Sequence, residues 1–273
     1  MSAAKKPTAK TDNFLNKFMS ADLNRWNKYL ALIFAVQGIV ILILSVNRSY
    51  PISTSFLGID TLQSQAQNST VFATGIQHVF DVNIAYLIAA FFFIGAIAHA
   101  LVATKLRTMY ERDIKNGINR IRWIEYALCA GVMIALIGML VGVEDISTIF
   151  LLFGTTAVMS LLGIVMEAQN QGTRKVSWAS FIVGCSVGAL PWIVLATYLI
   201  SGGIYGTNAP GFVYWVFGTM LVLFAAFPVN TYLIFHKSGK WKDYLFGERM
   251  FMILSLVAKT ALAWIVFAGS LHP

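Results

Sequence analysis

Lys259 is the residue whose type and position most strongly suggest chemistry, because it is the single charged residue in the apolar run Met250–Gly269. At about 1.5 Å per residue this run spans a bilayer core of roughly 30 Å, which places the lysine about 15 Å from either end. A lysine side chain is too short to reach a headgroup from that depth, and an unpaired charge there costs about 3 kcal/mol. The amine must therefore be paired with an acid, be uncharged, or take part in a chemical reaction. In apolar surroundings an amine favours its neutral, nucleophilic form, which reacts with aldehydes to give a Schiff base.

Glu125 is the best candidate for an acidic partner of Lys259. The other acids near the apolar runs lie at helix ends or about three turns away: Asp81, Glu144, Asp145, Glu167 and Glu248. Ser255, four residues before the lysine, shares its helix face and cannot serve as a second acid. Two interpretations of the pair follow from the residues. It is either a counter-ion arrangement around a Schiff base or a fixed ion pair that only orders the helices.

The depth of Glu125 depends on where its helix begins. Isoleucines at helical spacing precede the apolar run, namely Ile114, Ile118 and Ile121. They predict a backward extension of the helix, which would place Glu125 two to three turns inside it and bring Arg120 and Arg122 into the bundle. His99, near the end of the preceding run, is by itself most simply explained by a hydrogen bond to a neighbouring helix.

The surrounding sequence is that of a polytopic membrane protein. Of 273 residues, 58% are hydrophobic and only 12% are charged, about half the charged fraction of a soluble domain. Seven apolar runs are long enough to cross a bilayer: Tyr29–Val46, Asn83–Thr104, Ile124–Val143, Ile146–Met166, Val176–Ile200, Gly211–Phe235 and Tyr244–Gly269. We therefore predict an all-α membrane protein, with residues 29–273 forming one seven-transmembrane-helix bundle in the cell membrane.

Lysine and arginine are concentrated on one side of the predicted helices. Six precede the first run and six lie between the second and third, whereas the other side has Arg48 and the acidic pair Glu144 and Asp145. The positive-inside rule then places the N-terminus in the cytoplasm and the C-terminus outside the cell. The net charge of +8 becomes a basic cytoplasmic face, suited to anionic lipid rather than nucleic acid, with a soluble protein partner as the alternative.

Two segments lie outside the predicted helices. Residues 1–28 read as a polar cytoplasmic tail with an amphipathic stretch suited to an interfacial helix, and residues 47–80 as an extracellular loop compatible with a small β-hairpin. Cys129 and Cys185 fall inside apolar runs, so we expect neither a disulfide framework nor a metal site. Pro191 and Pro228 predict kinks that open space between helices at mid-membrane depth.

Several segments together carry a family resemblance. The most specific are Arg122-Trp123-Ile124-Glu125-Tyr126, Gly247-Glu248-Arg249 and Ser255–Trp264, and Leu190–Ile193 and Ala209–Tyr214 also match. Over nearly its whole length the chain resembles the heliorhodopsins, retinal-binding membrane proteins distantly related to microbial rhodopsins. The inverted topology inferred from charge is a hallmark of that family.

The resemblance implies a chromophore site. Lys259 would carry all-trans retinal as a covalent, protonated Schiff base with Glu125 as its counter-ion, and His99 and Ser255 would belong to a polar cavity beside it. The residues implied to line the retinal are Tyr126, Met159, Gly163, Trp192 and Phe224. Where the family often has a histidine in the first helix, this chain has Phe34, so the cavity would hold one histidine rather than two.

The function expected from these residues and this resemblance is light sensing rather than enzymatic catalysis. Light would isomerise the retinal and break its pairing with Glu125, and a proton would move into a cavity in the cytoplasmic half and return in the dark. No carboxylate continues the path to the far side, which favours signalling to a cytoplasmic partner over pumping. The resemblance also implies a homodimer. The alternatives are a light-driven ion transporter or channel, and a retinal-free membrane protein with a structural Lys–Glu pair.

Overall fold

The computed structural model describes residues 9–173, 175–206 and 208–272, with the backbone alone for residues 9–21. The helices are α1 (Ala9–Leu44), α2 (Thr61–Gln67), α3 (Ile84–Ala103), α4 (Arg107–Lys115), α5 (Arg120–Leu140), α6 (Ile146–Gln169), α7 (Ala179–Tyr205), α8 (Gly211–His236) and α9 (Tyr244–Val266). Two strands, β1 (Ser49–Ile59) and β2 (Phe72–Asn83), follow α1. Within the described residues seven helices are long and apolar enough to cross a membrane, which confirms the predicted seven-helix fold.

The seven spanning helices form a closed bundle around α5. Helix α1 packs against α3, α3 against α5, α5 against α6, α6 against α7, and α8 against α9, which returns to α1. Helices α7 and α8 make little contact with each other. The membrane-spanning window of α5 is 78% buried inside the protein, against 17–44% for the other six. Most side chains in this window of α5 are therefore shielded from lipid by protein.

A two-stranded antiparallel sheet lies at one end of the bundle, which we call the hairpin end. Strands β1 and β2 pair from Ser49 with Asn83 to Ile59 with Phe72, so the sheet extends past the predicted loop 47–80. The sheet is tied to the α5–α6 connection, because Ser53 N donates to Glu144 O at 2.9 Å. The opposite end carries α4, and we call it the α4 end.

The connection between α4 and α5 differs from the predicted backward extension. Gly117 has a φ of +70°, a backbone conformation that favours glycine. Asn119 then caps α5, its side chain accepting a hydrogen bond from Arg122 N at 3.1 Å. Helix α5 therefore begins at Arg120, and Glu125 lies less than two turns inside it, not two to three. Arg122 is buried as predicted, whereas the side chain of Arg120 is half exposed.

Helix α1 also differs from the predicted division of the chain. It runs without a break from Ala9 to Leu44, so no change of structure marks the boundary that we placed after residue 28. The part of the predicted tail before Ala9 lies outside the described residues. Helices α7 and α8 continue through Pro191 and Pro228.

Candidate functional site

The buried amine of Lys259 contacts both residues that the sequence placed nearest to it. Its Nζ donates to Glu125 Oε1 at 2.7 Å and to Ser255 Oγ at 2.6 Å. Lys259 is 2% exposed and Glu125 5%. The ring centroids of Phe34 and Tyr126 lie 5.0 and 5.8 Å, respectively, from the same nitrogen. A positive charge on this nitrogen would therefore have a carboxylate, a hydroxyl and two aromatic rings around it.

A large apolar cavity adjoins this ion pair. Its volume is about 260 Å³, and side chains of α5, α6, α7, α8 and α9 line it, including Lys259 and Ser255. All five residues that were expected around a retinal lie on its wall: Tyr126, Met159, Gly163, Trp192 and Phe224. Pro228 lines it too. Among the five helices around the cavity, the neighbours α7 and α8 make few contacts with each other.

A small polar cavity lies on the other side of Glu125, toward the α4 end. It has a volume of about 30 Å³, room for a water molecule. Its polar lining includes Asn27, His99, Tyr110, Asn119, Glu125 and Glu248. Burial raises the pKa of Tyr110 to about 12, so its hydroxyl stays neutral. The two residues expected to share one polar cavity are thus separated: His99 lines this small cavity, and Ser255 lines the large one.

Sequence reasoning missed a second buried ionic cluster at the α4 end. Arg122 pairs with both Glu167 and Glu248, and all three residues are buried. Trp123 Nε1 donates to Glu167 Oε2 at 2.8 Å. Asn119 joins the cluster through its backbone nitrogen, 2.8 Å from Glu167 Oε2, and its side-chain amide, 2.8 Å from Glu248 Oε2.

The sequence held a signal for this cluster. Arg122, Glu167 and Glu248 each stand beside the end of an apolar run, and all three ends fall on the same predicted side of the membrane. Arg122 was expected inside the bundle, whereas Glu167 and Glu248 were judged only as partners for Lys259, and the three charges were not considered together. Because their charges are opposite and lie at about the same membrane depth, the three residues together indicated a buried ionic cluster.

Comparison with known proteins identifies the family of the chain. The family model described as Heliorhodopsin matches residues 23–271. The chain belongs to the heliorhodopsin family. A comparison with curated proteins found no match. Heliorhodopsins are light-sensing retinal proteins that cross the membrane several times, and the family is not one of enzymes.

The residues of this heliorhodopsin fit the retinal that the family implies. An apolar cavity lined by aromatic and methionine side chains suits a hydrocarbon polyene. A buried primary amine on the wall of the same cavity suits its aldehyde group. The acid beside that amine suits a linkage that carries a positive charge.

Proposed function

We propose that this heliorhodopsin is a light sensor in which Lys259 binds all-trans retinal covalently and Glu125 is the counter-ion. The observation that carries the proposal is the position of Lys259, which lines the large cavity and whose Nζ lies 2.7 Å from Glu125 Oε1. When bound to Lys259 as a protonated Schiff base, retinal supplies visible absorption and a light-driven change of shape.

Glu125 holds the negative charge that stabilises a positive charge on Nζ. Because both residues are buried, water screens this attraction little, and moving the N–H away from the carboxylate is costly. Ser255, 2.6 Å from Nζ, offers the N–H a second acceptor on the same helix. A small displacement of the nitrogen therefore changes which group accepts its hydrogen bond.

The wall of the large cavity is held in place by contacts of its own. The Tyr126 hydroxyl donates a hydrogen bond to Phe251 O at 2.9 Å, and the Tyr126 ring packs edge-on against the ring of Phe227. Trp192 meets Phe224 edge-on, with 5.5 Å between ring centroids. These fixed aromatic residues orient an apolar chain and keep water from it.

Proton acceptors lie on one side of Lys259. The acids within the described spanning segments are Asp22, Glu125, Glu167 and Glu248, and those other than Glu125 lie at the α4 end. Toward the hairpin end, the spanning segments that the structure describes offer no further carboxylate. A proton leaving Nζ therefore moves toward the small cavity and returns the same way. This one-sided arrangement supports sensing rather than pumping, with the α4 end facing the cytoplasm.

Light-driven pH changes in suspensions of expressing cells test the sensing proposal. We expect no pH change on illumination of retinal-loaded cells, as in cells that express Lys259→Ala. A light-driven pH change that a protonophore abolishes would overturn sensing in favour of proton transport. The homodimer and the cytoplasmic signalling partner stay predictions from the resemblance.

A further inference from the structure

Trp123 lies between the large cavity and the buried cluster around Arg122. It lines the cavity, and its ring lies so close to Gly163 that a Cβ added there would overlap it. On the same indole, Nε1 donates to Glu167 Oε2 at 2.8 Å, and the guanidinium of Arg122 lies over the ring, with Cζ 4.7 Å from the centroid. Of the described residues that line the cavity, Trp123 alone donates a hydrogen bond to a carboxylate of the cluster. A movement of its ring therefore affects both the cavity and the cluster.

The oxygen that accepts from Trp123 also holds the start of α5. Glu167 Oε2 accepts a second hydrogen bond from the backbone N–H of Asn119, with 2.8 Å between the two heavy atoms. The other oxygen, Oε1, accepts from Arg122 Nη2 and, at 3.2 Å, from the hydroxyl of Tyr244. A carboxylate has about four lone-pair sites, so these four donors leave none free. Displacing one donor therefore shifts the carboxylate and weakens its hydrogen bond to Asn119.

Asn119 connects this carboxylate to α4, a short helix with little burial. It caps α5 and follows the turn at Gly117. Helix α4 has nine residues, of which Tyr110 and Asp113 are buried. The ion pairs of Asp113 are long, at 3.7 and 3.8 Å. A segment with few buried contacts opens at a low cost in free energy, so a small change at Asn119 is enough to loosen α4.

The other aromatic residues that fix the cavity wall make contacts of a different kind. Tyr126 donates to the backbone oxygen of Phe251 within α9, and Trp192 packs edge-on against another aromatic residue of the wall. Both contacts stay inside the spanning part of the bundle. The contact of Trp123 differs because Glu167 stands near the last residue of α6, at the α4 end.

We infer that the Trp123–Glu167 hydrogen bond transmits the state of the retinal cavity to α4, with Glu167 as the positioning residue. The inference rests on the proposed function. When light changes the shape of a retinal in the cavity, the Trp123 indole moves and draws Glu167 Oε2 away from Asn119. The connection between α4 and α5 then opens, and it closes again when the indole returns in the dark. Helix α4 is thus the surface on which a cytoplasmic partner would distinguish light from dark.

Hydrogen–deuterium exchange tests this coupling, because the backbone N–H of Asn119 is itself an exchanging group. Retinal-loaded protein is compared in the dark and under continuous illumination, and overlapping peptides that cover residues 107–120 are followed by mass spectrometry. We expect the Asn119 N–H to exchange about tenfold faster in the light, the effect of losing one hydrogen bond to a charged group.

Two tryptophan variants show whether the indole N–H carries the effect. Trp123→Phe keeps an aromatic ring on the cavity wall and loses the N–H, so the visible band should remain and the light–dark difference at Asn119 should disappear. Trp264→Phe is the matched control, because Trp264 Nε1 also donates to a side-chain oxygen, Gln37 Oε1 at 3.1 Å. Trp264 lies on the hairpin side of Lys259, and its variant should keep the full difference.

The outcomes separate this inference from the proposed function. A light–dark difference that survives in Trp123→Phe would overturn the inference. So would a wild type that has a visible band and exchanges equally in light and dark, a comparison that holds even if Trp123→Phe does not fold. A wild type without a visible band would instead contradict the proposed function, and the spectrum of the same sample tells the two failures apart.

Discussion

Lys259 and Glu125 are 134 residues apart in the sequence, yet their side chains share a 2.7 Å hydrogen bond inside the bundle. The bond joins the last spanning helix to the most enclosed one. A buried ion pair is by itself weak evidence of stabilisation, because removing both charges from water costs as much as their attraction returns. The apolar cavity beside it gives this pair a chemical role in place of a purely structural one.

Replacing Glu125 tests its role as counter-ion. In Glu125→Gln the positive charge at Nζ loses its compensating negative charge, a cost of about 3 kcal/mol at this depth. We expect the visible band either to shift or to disappear near neutral pH, measured in a pH titration of the spectrum. Glu167→Gln, a buried acid paired with Arg122 instead, is the matched control and should keep the band. If Glu125→Gln leaves the spectrum unchanged, the counter-ion is another residue.

The Arg122 cluster should stabilise the fold. Arg122→Gln leaves two buried carboxylates without their guanidinium, and we expect a loss of about 3–5 kcal/mol in the free energy of unfolding. Arg249 is the control, because its side chain is 37% exposed and its ion pairs are long, at 3.8 and 3.9 Å. Arg249→Gln should cost no more than about 1 kcal/mol. Equal effects of the two variants on denaturant unfolding would show that the cluster is not stabilising.

The sequence predicted the architecture because the membrane imposes a strong pattern on it. Every spanning helix must be apolar over about 20 residues, so hydropathy found all seven. The pairing of Glu125 with Lys259 was predictable for a related reason. A charge deep in a bilayer needs a partner, and few acids were available.

The burial of residues near the membrane surface was harder to predict, because a charged residue there can be either exposed to water or buried in protein. Glu167 and Glu248 stand at the ends of apolar runs, where water and protein are both available partners. The turn at Gly117 and the cap at Asn119 interrupted a helical periodicity that continues on either side. The separation of His99 from Ser255 depends on how three helices pack, which periodicity along one helix does not encode.

Gly163 should be required for the packing of the cavity wall. A Cβ added there would overlap the ring of Trp123, which Glu167 holds through a hydrogen bond of 2.8 Å. We expect Gly163→Ala to lower stability by about 1–3 kcal/mol and to change the visible band, because Trp123 must move. Gly154→Ala on the same helix meets open space and should be neutral or slightly stabilising. Thermal unfolding that does not distinguish the two variants would contradict this packing.

Asp145 should make the hairpin end sensitive to acid. Its carboxylate accepts a hydrogen bond from the backbone N–H of Thr148 at 2.9 Å, and this and further hydrogen bonds lower its pKa. A lowered pKa contributes stability that is present above the unfolded value of about 3.9 and is lost as the pH falls through the folded value.

Two substitutions separate the charge of Asp145 from its role as a cap. Asp145→Asn keeps an acceptor for Thr148 N but loses the charge. Its melting temperature should therefore lie slightly below that of the wild type at neutral pH and converge with it below about pH 4. Asp145→Ala loses the cap and should be less stable by about 0.5–2 kcal/mol at neutral pH. Parallel melting curves of the wild type and Asp145→Asn across that acidic range would refute the contribution of the charge.

The most direct measurement is the absorption spectrum after all-trans retinal is added to the expressed protein. We expect a visible band in the wild type and none in Lys259→Ala, with circular dichroism verifying that the variant remains helical. The band would show that the buried amine carries the chromophore. A wild-type protein without a band, or a band that survives in Lys259→Ala, would contradict the assignment of Lys259 as the retinal attachment site.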